Sequence, residues 1–157
     1  KTIGTTLSLA IKIHFKLSED EIKNKVFELL EKVELTPPEV FYERHPHELS
    51  GGQQQRVAIA RAISTEPKLI ISDEAVASLD MSIRSEILKL LKKINIETKV
   101  SMIMISHDLS VLKNMCNRIA IMHLGKIVEI GDKEKILGSP QHNYTKKLIS
   151  ATLEIPN

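Results

Sequence analysis

Two short apolar runs, Leu69-Ile70-Ile71 and Val100 to Ser106, flank an amphipathic stretch, and that order constrains the fold more than anything else in the chain. A strand with apolar residues at every position suits burial on both faces, which is the situation in a parallel sheet covered by helices. Between the runs, residues 82–95 carry Ile83, Ile87, Leu90, Leu91 and Ile94 on one face of a helix. Strand, helix and strand in that order predict a parallel pair joined by a helical crossover. Aromatic residues make up only 3% of the chain, so the core is expected to be aliphatic.

The segments on either side have their own signatures. Residues 1–16 are moderately apolar and read as a helix. Ser18 followed by Glu21 has the capping-box spacing, and Ile22, Val26, Leu29, Leu30 and Val33 then recur at helical intervals. Pro37-Pro38 is expected to end that helix, with a polar segment running on to Pro46. The first 48 residues thus read as a small helical subdomain. Gln53 to Ser64 reads as a helix opened by Ser50 and two glycines and stopped before Pro67. A short helix is expected over 108–115. A hairpin follows, with strands at Ile119–Met122 and Ile127–Ile130 about Gly125. The tail from 133 reads as two short helices broken at Gly138-Ser139-Pro140.

Composition excludes several classes. With 157 residues, 42% hydrophobic and 27% charged, the chain has the make-up of one ordinary globular domain. A net charge of +2 and the lack of a basic run argue against a nucleic-acid partner; Lys92-Lys93 and Lys146-Lys147 read as solvated helix faces. Cys116 is the only cysteine, which excludes an internal disulfide and a thiolate metal cluster. No run of 18 apolar residues is present. His45 and His47 lack a nearby third ligand, and they and His14, His123 and His142 read as surface residues. Met102 and Met104 read as core filler.

The chemistry concentrates in three places. In Leu49-Ser50-Gly51-Gly52-Gln53-Gln54-Gln55-Arg56 two glycines let a backbone approach an anion, and the first helical turn offers N–H groups without intrahelical partners. The Ser50 hydroxyl adds a donor. A serine N-cap with glycines in a tight turn is the plain alternative. Leu69-Ile70-Ile71-Ser72-Asp73-Glu74 delivers two carboxylates at the C-terminal end of a strand, the edge where α/β sheets collect ligands; an acidic cap or solvated turn is the alternative. His107 stands directly after the second strand, where a polar surface residue is common.

Taken together these strings resemble the ABC ATPases. Leu49–Arg56 and the Val-Ala-Ile-Ala-Arg-Ala that follows are similar to the family's signature motif, Leu69–Glu74 to its Walker B motif, Ala77-Ser78-Leu79-Asp80 to its D-loop, and His107 to its switch histidine. The resemblance implies an α/β fold, a P-loop NTPase core with a parallel sheet flanked by helices. It implies that Ser50, Gly51, Gly52 and Gln53 close over ATP held by an opposing subunit, and that Ser78, Leu79 and Asp80 contact that subunit. It implies that Asp73 holds Mg²⁺ through water, that Glu74 polarises the attacking water, and that His107 contacts the γ-phosphate. Ala75, Ala77 and Ser78 stand where family members more often have Pro, Ser and Ala. The tail, Leu124–Gly131 and Pro140–Leu148, and Tyr42–Glu48 before the signature, resemble oligopeptide and dipeptide importer ATPases; nickel importers share much of this tail. Implied partners are a second ABC ATPase subunit and transmembrane permease subunits, at the cytoplasmic face of the cell membrane.

No G-x-x-x-x-G-K-[ST] string occurs in the chain, and its one Gly-Lys pair, Gly125-Lys126, sits in the expected hairpin. The glutamine loop of the family is not recognisable either. The expectation is a C-terminal fragment with a helical subdomain over 1–64, half of the ATPase core over 65–132 and an importer-type tail over 133–157. Such a chain is expected to be inactive alone, to be poorly soluble through exposed apolar edges, and to complete a neighbour's site or bind a partner ATPase without turnover.

Overall fold

The computed structural model describes residues 1–153. They form two compact units, divided between Ile103 and Met104.

The first unit begins with helices α1 (Ile3–His14), α2 (Glu19–Lys32), α3 (Pro38–Glu43) and α4 (Gly51–Ile63). The capping box at Ser18 is present: the Glu21 N–H donates to Ser18 Oγ at 3.3 Å, and the Ser18 N–H donates to Glu21 Oε2 at 2.8 Å. Ile22, Val26, Leu29 and Leu30 face inward from α2 and meet Ile3, Leu7 and Ile11 of α1 in the buried core.

The prolines do not end α2. The helix stops earlier, at Lys32, through a Schellman turn in which the Leu35 N–H donates to Leu30 O at 2.9 Å and the Glu34 N–H to Glu31 O at 2.8 Å. Glu34 takes the left-handed conformation, φ 60°, and Leu35 folds back into the core at 2% exposure. Pro38 instead opens α3 at its first position, where the missing N–H is no loss. The stretch expected to be polar therefore contains a helix that buries Phe41.

The unit continues through β1 (Leu69–Asp73), α5 (Met81–Thr98) and β2 (Ser101–Ile105), the last residues of β2 crossing into the second unit. β1 and β2 pair in a two-stranded sheet, as the strand–helix–strand order predicts. α5 outruns the apolar repeat at both ends, because Asp80 caps its start and Lys99 ends it in the left-handed region at φ 55°. The expected burial of the strands on both faces is not found. Leu69, Ile71 and Ile103 are 47%, 63% and 49% exposed, and only the alternate side chains are half-buried. A two-face environment needs a covering layer on each side, and the helices of this unit shelter one.

The second unit holds α6 (Leu109–Met115), the antiparallel hairpin β3 (Arg118–His123) and β4 (Lys126–Asp132), α7 (Lys133–Gly138) and α8 (Asn143–Leu153). Register runs from Arg118 opposite Asp132 to His123 opposite Lys126, with a bulge between Ile121 and Met122. Ile119 and Ile121 pack with Leu109, Leu112 and Ile136. Glu129 on β4 accepts the Gln141 and His142 N–H groups at 2.8 and 3.0 Å, holding the start of α8. His123, expected as a plain surface residue, stacks on Tyr144 at 3.8 Å between ring centroids. The last four residues of the tail expected over 133–157 lie outside the described ones.

Candidate functional site

Ser50 is the N-cap of α4. Its Oγ accepts the Gln53 N–H at 3.3 Å and its own N–H donates to Gln53 Oε1 at 3.1 Å, a complete capping box. Gln53 is thereby drawn into the cap, and its N–H is not among the donors left for a ligand. Gly51 and Gly52 occupy the first two helical positions, whose N–H groups have no acceptor within the helix. The Ser50 hydroxyl accepts through oxygen, so its hydrogen is a separate donor that can turn outward. With the positive end of the helix dipole behind them, these groups suit an anion.

The two glycines differ. A Cβ on Gly51 would make an ordinary contact with Leu79 at 3.7 Å, whereas a Cβ on Gly52 would stand 2.7 Å from Ile83 Cγ2. Gly52 is buried, and α5 packs against it closely enough to leave no room for a Cβ. Close backbone approach to an anion, the reason the sequence suggests for both positions, leaves Gly51 as the more open of the two.

The segment over 78–80 ends in the cap of α5. Asp80 Oδ1 accepts the Ile83 N–H at 3.0 Å and the Ser82 hydroxyl at 2.7 Å. Those two hydrogen bonds, the Ile83 N–H first, hold the Asp80 carboxyl below the usual carboxylate range. Asp80 thus combines a cap role with an exposed position. The structure brings Gly51 and Gly52 against Leu79 and Ile83, so the two segments read separately in the sequence lie side by side.

Asp73 ends β1 and is exposed. Glu74 follows it at φ 48°, in the left-handed region that a residue with a Cβ seldom occupies. From there a turn leads to α5, with the Ala77 N–H donating to Glu74 O at 3.1 Å and Val76 buried beneath. Among the described residues no group of three or more His, Cys, Asp or Glu could hold a metal ion. A carboxylate at a strand end nevertheless suits Mg²⁺ as one ligand, since the ion keeps most of its waters and takes phosphate oxygens from its substrate. His107 is exposed and lies in the second unit, between β2 and α6; the Asp108 beside it caps α6 through the Ser110 N–H at 2.9 Å.

One residue with no role assigned from the sequence stands out. Arg56, in the second turn of α4, is 13% exposed in its side chain and reaches both Glu34 and Glu86. Its place within the signature-like string was the available signal, but its partners lie far away in sequence.

The family described as ABC transporter matches residues 3–77. The dipeptide transport ATP-binding protein of Haemophilus influenzae is 43% identical over 152 residues, which is 97% of this chain and 46% of that protein. The oligopeptide transport ATP-binding protein of Mycoplasma genitalium is 45% identical over 140 residues, 89% of this chain and 16% of that one. This chain therefore spans less than half the length of either relative. Among solved structures, the dimeric post-hydrolysis state of the ATP-binding cassette MJ0796 bound to ADP and Pi superposes with a TM-score of 0.72 and 31% identity, covering 84% of this chain and 56% of that one. No described helix is long and apolar enough to cross a membrane.

Proposed function

We propose that this chain, which matches the ABC transporter family over residues 3–77 and is similar to peptide-transport ATP-binding proteins, works in the ATP-hydrolysing machinery of an importer by completing the site of a second ATPase subunit. The observation that carries this reading is the adjacent start of α4 and α5. Ser50 and Gly51 open α4, and Leu79, next to the Asp80 cap of α5, lies beside Gly51.

In this reading the Ser50 hydroxyl and the Gly51 and Gly52 amides bind the γ-phosphate of ATP held by the partner, acting on charge that spreads over its oxygens as the bond breaks. Ser78, Leu79 and Asp80 pack on the partner. Asp73 would be the residue to hold Mg²⁺ through water, and Glu74 and His107 match the family's water-polarising and switch positions; those roles act on a nucleotide bound by their own subunit, so the trans role does not call on them. Dipeptides or oligopeptides are the proposed cargo, permease subunits the membrane partners, and the cytoplasmic membrane face the location. The names of the relatives support the cargo.

Ser50→Asp separates the capping role from the phosphate role. Aspartate caps helices as well as serine, so stability should stay within about 0.5 kcal/mol of the parent. Its charge, however, would stand where a phosphate oxygen must come. With the Haemophilus influenzae dipeptide transport protein as the probe partner, the parent chain should raise ATP turnover and Ser50→Asp should lose at least about tenfold of that stimulation. Equal stimulation by Ser50→Asp would sink the proposal.

A further inference from the structure

We propose that Arg56 is a positioning residue that locks the two partner-facing segments, Ser50–Gln53 and Ser78–Asp80, into one presented surface. The functional value of that surface rests on the role proposed above; the locking itself does not.

The geometry begins at the end of α2. Glu34 is the left-handed residue of the Schellman turn, a position that glycine fills more readily than a residue with a Cβ. Arg56 reaches this turn from α4. Its Nη1 donates to Val33 O at 3.0 Å and to Glu34 Oε2 at 2.7 Å. Its Nη2 donates to Glu86 Oε2 on α5 at 3.3 Å. One planar guanidinium thus ties the last turn of α2, the body of α4 and the first turns of α5. Lysine cannot do this, because it offers a single charged point in place of a fork. Lys93, also on α5, approaches Glu34 Oε1 at 3.8 Å and adds to the same cluster. The Arg56 hydrogen bond comes first among the causes that hold the Glu34 carboxyl below the usual range.

The position of this tie along the helices gives it a consequence for the surface. Ser50 caps α4 and Asp80 caps α5, and the helices touch first at Gly52 and Ile83. They touch again, one turn further in, at Arg56 and Glu86. A single contact lets two helices pivot. Two contacts at different heights fix slide and roll, and with them the relative placement of the two caps. The first contact is apolar and depends on close fit; the second is directional and charge-assisted. An ordinary structural ion pair would steady the whole unit. This one is placed to steady two loops against each other.

Amide exchange on the full chain, with Arg56→Lys and Glu86→Gln compared with the parent, reads the locking directly. The informative donors are the N–H groups of Gln53, Leu79 and Ile83, each of which makes a hydrogen bond at a loop or cap. In both variants these should exchange faster together, by about tenfold in Arg56→Lys, while the α1 and mid-α2 amides keep their parent rates. Faster exchange at one segment only, no change at either, or uniform acceleration throughout the helical part would each overturn the proposal. Turnover with the Haemophilus influenzae dipeptide transport protein supplies the second arm. Arg56→Lys should lower the maximal stimulation about tenfold and change the half-saturating chain concentration less than threefold. If the parent chain gives no stimulation, the functional reading fails, and the exchange pattern still decides the locking.

Discussion

The two small sheets of this chain solve the same problem in different ways. The β3–β4 hairpin is joined by the Leu124-Gly125 turn, and it buries Ile119 and Ile121 at 4% exposure each against α6 and α7 of its own unit. The β1–β2 pair is joined by the long crossover α5 and leaves Leu69, Ile71 and Ile103 about half open. An antiparallel hairpin needs one covered face, and its connection is local. A parallel pair needs two, and its connection does not bring the second cover with it. The hairpin covers Ile119 and Ile121 with what lies beside it in sequence, though Met122, Ile127 and Ile130 stay exposed, whereas the parallel pair buries no strand side chain fully and presents apolar residues of the kind that invite another strand or layer.

The largest effect that could break this comparison comes from truncating one isoleucine in each sheet. Ile121→Ala should cost about 2–5 kcal/mol, the range for emptying a packed aliphatic site. Ile71→Ala, at 63% exposure, should stay within about 0.5 kcal/mol of the parent. Urea unfolding of both variants measures the difference. A cost above about 2 kcal/mol at Ile71 would mean that this face is packed in solution.

A middle-sized effect tests how the parallel pair is held at all, since its crossover helix is pinned by α4 at Gly52. Gly52→Ala places a methyl 2.7 Å from Ile83 Cγ2, on a β-branched side chain with little room to turn. It should cost about 1–3 kcal/mol by overpacking, and Ile83→Ala in the same chain should recover part of that. Gly51→Ala, which meets only Leu79 at 3.7 Å, should change stability by less than about 0.5 kcal/mol. Equal costs at the two glycines would remove Gly52–Ile83 as the anchor of α5.

The same division separates what the sequence discloses from what it conceals. Ser18 with Glu21, Ser50 with Gln53 and the Gly125 hairpin are legible because each depends on residues a few positions apart. The strand–helix–strand order is legible for the same reason. The open face of β1 and β2 is not, because an apolar run states what a strand requires and not whether a second layer arrives. Pro37-Pro38 signals a break without saying that a helix begins there and that α2 has already turned at Glu34. At the candidate site the sequence points to Ser50, Asp73, Asp80 and His107 through their strings. It is silent on Arg56, whose partners Glu34 and Glu86 become neighbours only after three helices have packed. Nor does it reveal that Gly52 also faces Ile83, a neighbour only once α4 and α5 have packed.

The smallest effect sharpens the other side of the comparison, the claim that the hairpin is finished locally. Leu124 and Gly125 both have positive φ, 48° and 75°, the pattern of a two-residue turn whose twist matches that of the strands. Glycine accepts this conformation freely, while Leu124 adopts it against the preference of its Cβ and stands 87% exposed, with little packing to compensate. Asparagine is the residue best suited to the first position of such a turn. Leu124→Asn should therefore stabilise the hairpin by about 0.5–1 kcal/mol. The gain should appear as slower amide exchange across the Ala120–Ile130 and Met122–Ile127 pairs, with no change at β1. Unchanged or faster exchange there would show that contacts beyond the turn set the stability of the hairpin, and that its completeness is less local than its geometry implies.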